Sequence, residues 1–388
     1  MTELRFLPGQ NYDCVQCAKG CRHTWRIHTD PHTESRIRES GLALRVIQET
    51  GVPGVFDENP EGGSKLLARH EGHCVFLRPD NLCAVHAELG YDSKPVGCRE
   101  FPFQIVNTPD GLHVGITFYC TAAKQNHGRA MEVHAQDIHD LLKLFRPPGT
   151  GFAPMKLTPV SAATLEWPVY RRLEKLVEEE VERTGGSARA VWALAELGGS
   201  LSGPIPVEAL ETAFERARPE LLCRDDVLSM QEQFYVAAVL CTLEVQENAA
   251  RQGVTQNFLA GELVTLPHTR WQGTLSGLEG VAAPDWLRDE LVRYQKALLF
   301  RKFLPQKRPI LDNLVALHLM PRLFRLYAAM AAQVRKTSAI EREDVDYALD
   351  QLELFLTHTT SEGVDRLLSA FAQAYLEQIP AALQGGAA

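Results

Sequence analysis

The most informative segment of this chain lies near its start and reads Cys14-Val15-Gln16-Cys17-Ala18-Lys19-Gly20-Cys21. Its Cys-x-x-Cys pair places two thiolates on one tight turn, where both can reach the same metal. Gly20 permits the unusual backbone angles that such turns often need. Seven of the nine cysteines in the 388-residue chain lie in its first 120 residues. This concentration indicates that the first third is organised around a thiolate-bound metal ion or iron–sulfur cluster.

The first three cysteines can supply three ligands to one site at a small cost in chain closure. The fourth ligand would then come from a cysteine further along the chain, and the surplus thiols allow a second site or a larger cluster. For Cys74, Cys83 and Cys120 the alternative is a buried thiol that only fills space. A disulfide framework fits an odd number of cysteines poorly. We therefore predict seven metal ligands: Cys14, Cys17, Cys21, Cys74, Cys83, Cys98 and Cys120.

The spacing of the cysteines favours an iron–sulfur cluster of the 4Fe-4S type, with zinc as the alternative. Structural zinc sites usually present two close pairs, whereas here one close pair is followed by single cysteines. The three-cysteine motif of radical S-adenosylmethionine enzymes is CxxxCxxC, and this chain has the reverse spacing. Among the thirteen histidines, His23 and His73 are the best candidates for an additional imidazole ligand.

The composition is that of an ordinary globular protein, with 45% hydrophobic and 23% charged residues. The formal net charge of −9 argues against general nucleic-acid binding, which needs a basic surface to displace counterions. No uninterrupted apolar run reaches the roughly 18 residues of a membrane helix. The first residues also lack the apolar stretch of a secretory signal. We therefore expect a cytoplasmic protein that binds neither nucleic acid nor membranes.

The sequence divides into an irregular part and a helical part. Residues 1–130 are rich in Gly, Pro, His and Cys, which predicts a small, irregular α+β cysteine-cluster domain. Within it, apolar spacing predicts one helix from Glu34 to Glu49, and Pro109-Asp110-Gly111 predicts the turn of a hairpin. Residues 131–388 show helical periodicity nearly throughout, which predicts an all-helical domain and a mainly α protein.

The helical part carries further expectations. We expect Pro321 to kink or end a long helix, and Thr337 or Ser338 to cap the helix that follows. The pattern also predicts a helix over residues 227–250 and a break over residues 253–284. A basic patch is expected to be a solvated face, with an anion or partner site as the alternative. It comprises Arg301, Lys302, Lys307 and Arg308.

Three segments of the first 120 residues resemble a known family. They are His73-Cys74-Val75-Phe76-Leu77, Leu82-Cys83-Ala84-Val85-His86 and Lys94-Pro95-Val96-Gly97-Cys98-Arg99-Glu100-Phe101-Pro102. These segments are similar to the cysteine-cluster family described as zinc- or iron-chelating. Trp25 and Ile27, which follow Cys21, resemble the signature of its larger relatives, the flagellin lysine N-methylases. The resemblance covers roughly residues 12–120, and Arg22 stands where the family usually has a further cysteine.

This resemblance implies a protein-lysine N-methyltransferase that uses S-adenosylmethionine and acts on a lysine-bearing, flagellin-like protein. We assign Arg99 and Tyr119 to the cofactor site, Arg99 as a donor to sulfur or carboxylate and Tyr119 as a hydroxyl beside Cys120. The alternatives are a structural salt bridge for Arg99 and a core position for Tyr119. The chain shows no common Gly-rich nucleotide loop. A structural zinc protein with a helical interaction module, and a redox or metal-handling protein, remain open as other functions.

Overall fold

The structure, a computed structural model, describes residues 3–219, 248–266, 269–358 and 362–385. Over these residues the protein is mainly α-helical with small, scattered sheets, as the helical periodicity predicts. The chain forms two compact units. The first unit comprises Met1–Ile105 and Leu112–Pro148, and the helical unit comprises Val106–Gly111 and Gly149–Ala388. Most of the helix predicted over residues 227–250 lies outside the described residues.

The first unit is built from short elements. Its α-helices are Lys19–Arg22, Pro31–Glu39, Leu42–Thr50, Ala84–Leu89, Val96–Glu100, Thr121–Lys124 and Ala135–Leu141, and its 3-10 turns are Tyr91–Ser93 and Met131–His134. Its short strands are Leu4–Phe6, Asn11–Tyr12, Phe56–Asp57, Leu66–Leu67, Arg69–His70, His73–Cys74 and Arg129–Ala130. The single helix predicted from Glu34 to Glu49 is wrong, because Gly41 adopts a left-handed conformation (φ 79°) that separates two helices.

The predicted hairpin is confirmed. Phe103–Thr108 and Gly111–Ile116 are neighbouring strands in a three-stranded sheet, and Leu4–Phe6 pairs with the second of them in parallel. Thr108 shapes the turn, since its hydroxyl donates to the Gly111 carbonyl at 2.9 Å. This pairing joins the beginning of the first unit to a segment more than a hundred residues later.

The first unit contains two small hydrophobic cores. The first core is centred on buried residues such as Ile37, Val46 and Phe76. The second core is centred on Val114 and Met131. Cysteines belong to both: Cys74, Cys83 and Cys98 pack against the first core, whereas Cys120 is part of the second.

The helical unit consists of longer helices with short strands between them. Its helices are Trp167–Thr184, Ala188–Ser200, Val207–Arg216, Asn248–Leu259, Leu275–Glu279, Leu287–Phe300, Ile310–Val334, Arg342–Glu353 and Glu362–Gly385, with a π-helical turn at Leu354–His358. Its strands are Met155–Lys156, Ala163–Leu165, Gly203–Pro204, Val264–Leu266 and Trp271–Gly273. The break predicted over residues 253–284 is wrong, because a helix continues to Leu259 and a two-stranded hairpin and a short helix follow.

The helix Ile310–Val334 forms much of the core of this unit, and 18 of its 25 residues are buried. We predicted that Pro321 kinks or ends a helix. It does not end the helix, which continues past it to Val334. Proline cannot donate to the carbonyl four residues earlier, which belongs to Leu317. The Gln295 side chain donates to that carbonyl instead, at 3.4 Å. By length and composition this helix could cross a membrane, but 72% of its most apolar window is buried in the unit, as in a core helix.

The predicted cap of a later helix in this unit is also wrong. The helix Arg342–Glu353 begins with a capping box formed by Glu341 and Asp344, so neither Thr337 nor Ser338 is its cap. The Thr337 hydroxyl instead donates to the Ala332 carbonyl at 3.1 Å, at the end of the preceding helix.

Three of the four residues of the basic patch do not form a solvated face, whereas the fourth, Lys307, is exposed. Arg301, Lys302 and Arg308 are 3%, 2% and 6% exposed. Arg301 makes a bidentate pair with the buried Glu353, and Lys302 binds Glu174 at 2.7 Å. Carboxylates that are remote in sequence therefore compensate charges that look solvated in the local pattern.

Candidate metal centre

The loop that carries the first two cysteines has an unusual backbone. Gln16 and Ala18, on either side of Cys17, adopt left-handed conformations with φ of 54° and 55°. The Gln16 N–H donates to the Cys14 sulfur at 3.4 Å. Gly20 is not the residue that provides the turn, because it lies within the helix Lys19–Arg22. The sequence predicted the turn correctly and assigned it to the wrong residue.

The Cys14 end of this loop is bound to the segment that follows Cys120. Asn11–Tyr12 pairs antiparallel with Arg129–Ala130, and the Asp13 N–H donates to the His127 carbonyl at 2.9 Å. The Arg129 guanidinium holds the Asp13 carboxylate at 2.7 Å. These hydrogen bonds lower the pKa of Asp13 to about 2. Cys14 is therefore positioned by residues more than a hundred positions away.

The Cys21 end is bound to a different segment. The Arg69 guanidinium donates to the carbonyls of His23 and Gly72, and the Arg22 guanidinium donates to Asn81 Oδ1 at 2.7 Å. The short helix that contains Cys21 also contacts the strand His73–Cys74. Cys21 is thus held near the cysteines of the 74–98 region, and Cys17 also contributes to its raised pKa.

Four cysteines form the first group: Cys21, Cys74, Cys83 and Cys98. Burial, with smaller contributions from Cys21 and Cys83, raises the pKa of the Cys98 thiol to about 12. The pKa of Cys74 is also raised, first by burial and then by Cys98, Cys21 and Cys83. Lys94 acts in the opposite direction on Cys98 and Cys21. Thiolates at these positions would repel one another, so their charged forms require a cation.

The second group consists of Cys14, Cys17 and Cys120, with Tyr12 beside them. Burial raises the pKa of Cys120 to about 11, and Cys17 and Cys14 also raise it. Burial, followed by the charges of Cys120 and Cys14, raises the pKa of Tyr12. Cys14 and Cys17 are exposed, whereas Cys120 is buried.

Backbone amides face three of the sulfurs. The N–H of Gln16 donates to Cys14, that of Phe76 bonds to Cys74, and those of Ala122 and Ala123 lie at Cys120. For Cys74 and Cys120 these amides lower the thiol pKa against the effect of burial. An N–H donor stabilises the thiolate, which is the form that binds metals.

The side chains do not form a ready-made site for a single ion. Within the described residues, no group of three or more His, Cys, Asp and Glu side chains is placed to hold one. All seven cysteines of the first unit are free thiols. The His73 ring contacts the Cys74 carbonyl through Nδ1 at 3.0 Å, and the His23 ring packs against Trp25. Their assignment as additional ligands therefore stays a prediction.

An aromatic cluster lies next to the cysteines in sequence. The rings of His23 and Trp25 lie 5.1 and 5.0 Å from the Tyr119 ring, and Phe101 lies 5.7 Å from Trp25. The Lys19 ammonium sits 4.4 Å from the centre of the Tyr119 ring. Tyr119 is buried, so its core alternative describes its position, and the assigned role at a cofactor stays a prediction.

Arg99, the other residue assigned to a cofactor site, is also buried. Its guanidinium pairs with Asp92 at 3.0 Å and lies 5.2 Å from the centre of the Tyr91 ring. The Tyr91 hydroxyl donates to the Arg99 carbonyl at 2.8 Å. The Nε of Arg99 is buried without a hydrogen-bond partner, so this N–H can donate to a further acceptor. The salt bridge expected as the alternative role of Arg99 is therefore observed, and its role at a cofactor stays a prediction.

Sequence reasoning overlooked Tyr12, Lys19 and Lys94. Lys94 belongs to the segment that carries the family resemblance, and its position four residues before Cys98 could have marked it. Tyr12 lies two residues before Cys14, so its position could also have marked it, whereas Lys19 approaches Tyr119, a hundred residues later, only through the fold.

Comparison with known proteins adds one similarity. No family model matches the chain, and no solved structure matches it. A protein of Methanocaldococcus jannaschii described as "Uncharacterized protein MJ0939" is 32% identical over 120 residues. The match covers 30% of this chain and 38% of that protein. It therefore concerns less than half of either chain and assigns no activity.

Proposed function

We propose that the first unit is an iron–sulfur domain in which Cys21, Cys74, Cys83 and Cys98 bind one 4Fe-4S cluster. The observation that carries this proposal is their convergence from distant positions in the sequence. Three of them pack against one core, and each of Cys21, Cys74 and Cys98 has its pKa raised by other members of the group.

The chemistry of the donor set fits such a cluster. Iron–sulfur clusters are held by four thiolates, and hydrogen bonds to the sulfurs tune them. The Phe76 N–H at Cys74 and the Lys94 charge near Cys98 both favour thiolate over thiol. Four half-buried thiols that only filled space would need neither. These contacts favour a metal-binding role over simple packing.

The spacing of the cysteines along the chain, with one close pair followed by single cysteines, favours iron–sulfur over zinc. Sulfurs bound to one zinc lie about 3.8 Å apart, because each Zn–S bond is about 2.3 Å long in a tetrahedron. A cluster of several irons keeps its thiolates further apart. Zinc is the alternative metal and would require the sulfurs to close in.

The test is anaerobic purification of the full chain, followed by iron, zinc and acid-labile sulfide analysis and a visible spectrum. We expect iron and sulfide in equal amounts and a broad sulfur-to-iron absorption band. Cys98→Ser should remove the absorption of this cluster, whereas Cys241→Ser, a cysteine outside the first unit, should leave it unchanged. A colourless protein with stoichiometric zinc would contradict the proposal and favour the structural zinc alternative.

A second proposed function is lysine N-methylation of a protein substrate with S-adenosylmethionine, in the cytoplasm where thiols stay reduced. The observation that favours it is the Lys19 ammonium over the Tyr119 ring, because the same aromatic cluster suits a sulfonium or ammonium cation. The residues involved would bind and orient the cation, while the cofactor would supply the methyl group.

Calorimetry on the anaerobic protein tests this second function. We expect S-adenosylmethionine to bind more tightly than S-adenosylhomocysteine, which lacks the positive charge. Tyr119→Leu should weaken S-adenosylmethionine about fivefold, because a cation–π contact contributes about 1 kcal/mol. An absence of binding heat, or equal binding of both compounds, would count against methyl transfer and leave the iron–sulfur proposal intact.

A further inference from the structure

We infer that the ammonium group of Lys19 occupies an organic-cation site on the Tyr119 ring and competes there with an external cation. The external cation would be a sulfonium or a quaternary ammonium, a group that carries its charge among alkyl substituents. For the identity of the physiological cation this inference rests on the second proposed function. It adds to that function a competitor that belongs to the chain itself.

The site is built from aromatic rings that distant segments of the first unit bring together. Tyr119 lies next to the rings of Trp25 and His23, and Trp25 also contacts Phe101. The rings meet at angles between 46° and 80°, so they are tilted or edge-on and not stacked. The faces of tyrosine and tryptophan attract cations. The cluster therefore offers two such rings, those of Tyr119 and Trp25, whose centres lie 5.0 Å apart.

Lys19 reaches this cluster from the first residue of the helix Lys19–Arg22. Its Nζ atom lies 4.4 Å from the centre of the Tyr119 ring, within the range of a cation–π contact. A Cβ on the next residue, Gly20, would lie 3.5 Å from the Phe101 ring, so the helix itself is packed against the cluster. The flexible part is the Lys19 side chain, which can leave the ring without a movement of the helix.

The chemistry of the two cations favours their exchange. A lysine ammonium is compact and strongly hydrated, and its flexible stem loses rotamer freedom when it is held in one place. Lys19 is half-buried, so its ammonium has a short path back to water. A sulfonium or a quaternary ammonium has alkyl groups around its charge, and aromatic faces recognise such cations. Exchanging one monovalent cation for another also leaves the charge on the ring unchanged.

The burial of Tyr119 makes the two cations exclusive. Tyr119 is 7% exposed with Lys19 in place, so too little of the ring is open for a second cation. A second cation beside the ammonium would also be repelled by it. The apparent affinity for the external cation is therefore reduced by the fraction of molecules in which Lys19 covers the ring. Lys19 thereby raises the concentration of external cation that the site requires.

Choline is the probe for this site, because it carries a quaternary ammonium and its binding needs no methyl transfer. Its uncharged isostere, in which carbon replaces the nitrogen, is the control ligand. Saturation-transfer NMR on the anaerobic, full-length protein measures the binding of both. We expect Lys19→Ala to bind choline about fivefold more tightly than wild type, because the competing contact is gone.

Two further variants separate charge from space. Lys19→Arg keeps a cation beside the ring and should bind choline like wild type. Adding Tyr119→Leu to Lys19→Ala should remove the gain in affinity, because the ring that holds the cation is lost. The isostere should bind more weakly than choline to Lys19→Ala, and equal binding of the two ligands would contradict recognition of the charge.

Acylation of Lys19 in the wild-type protein is a second measurement, which needs no variant. The protein is treated briefly with an amine-reactive reagent, and the modified lysines are quantified by peptide mass spectrometry. We expect saturating choline to accelerate the modification of Lys19 several-fold, because the displaced side chain lies in water. Lys175, an exposed lysine of the helical unit, is the internal control and should react at the same rate with and without choline.

Equal choline binding by wild type and Lys19→Ala, or acylation of Lys19 that choline does not accelerate, would overturn the inference. Calorimetry with S-adenosylmethionine on the same two proteins judges the second proposed function separately. Choline binding without S-adenosylmethionine binding would refute methyl transfer and leave the cation site standing. Equal S-adenosylmethionine binding by wild type and Lys19→Ala would overturn the competition and leave methyl transfer standing.

Discussion

The two units of this protein bury their residues in different ways. In the helical unit, the helix Ile310–Val334 alone buries 18 residues. Each core of the first unit consists of 11 buried residues, many of them small. Small cores supply little stability after the cost of ordering the chain, and metals or other cross-links commonly compensate for this. The comparison teaches that cysteines are concentrated where apolar packing is weakest.

The units also differ in how they treat buried charge. The helical unit pairs Arg301 with Glu353 and Lys302 with Glu174, so each buried charge has its partner within the chain. In the first unit Arg99 pairs with Asp92, but the half-buried sulfurs disfavour one another's charged forms. The partner that would balance them as thiolates is a bound cation, which the chain itself does not supply.

Removing the proposed metal should have the largest effect. It should destabilise the first unit and leave the helical unit folded. We expect chelation of the iron under oxidising conditions to abolish hydrogen-exchange protection in the first unit, because structural metal sites contribute on the order of 10 kcal/mol to folding. Protection in the helix Ile310–Val334 should persist. Hydrogen exchange of the full chain, followed by mass spectrometry, measures both regions at once. Unchanged protection around Cys74 and Cys98 would show that the first unit folds on apolar packing alone.

Breaking the buried ion pair should have the next largest effect, confined to the helical unit. Arg301→Leu leaves Glu353 buried without its bidentate partner, so we expect a loss of about 3–5 kcal/mol in the free energy of unfolding. Urea denaturation followed by circular dichroism measures this loss. Lys175→Met, which removes an exposed ion pair with Glu179 within the helix Trp167–Thr184, is the control and should change stability little. Equal effects of the two substitutions would contradict the importance of burial.

The pH dependence of the helical unit should show the smallest of the three effects. Burial lowers the pKa of His318 from 6.5 to about 4 in the folded protein. The unfolded chain therefore binds a proton between these values that the folded chain does not. Stability is complete above pH 6.5 and falls as the pH decreases towards 4, by about 3 kcal/mol in total.

His318→Phe tests this assignment. The Tyr375 hydroxyl faces His318 Nε2 at 3.3 Å, in keeping with a neutral imidazole. The variant should lose the part of the acid dependence that His318 contributes, measured as the urea midpoint at several pH values. An identical slope in the variant and the wild type would assign the dependence to other groups.

Local patterns predicted the regular parts of the fold well. The helical periodicity after residue 131 and the turn at Pro109-Asp110-Gly111 both correspond to structure, because each depends on neighbours in the sequence. The errors arose where a distant residue intervenes. The helix continues past Pro321, and Gln295 donates to the Leu317 carbonyl that the proline leaves without a backbone donor. Arg301 is buried because Glu353 pairs with it.

The amino-acid sequence by itself determined that thiols crowd the first third of the chain and that helices dominate the rest. Both properties follow from residue types and short-range spacing. Only the tertiary structure decided how the thiols are grouped, because Arg129 and Arg69 bind the two ends of the Cys14–Cys21 segment from positions far along the chain. Sequence spacing reports how close two residues can come, whereas long-range hydrogen bonds and core packing select which of them do.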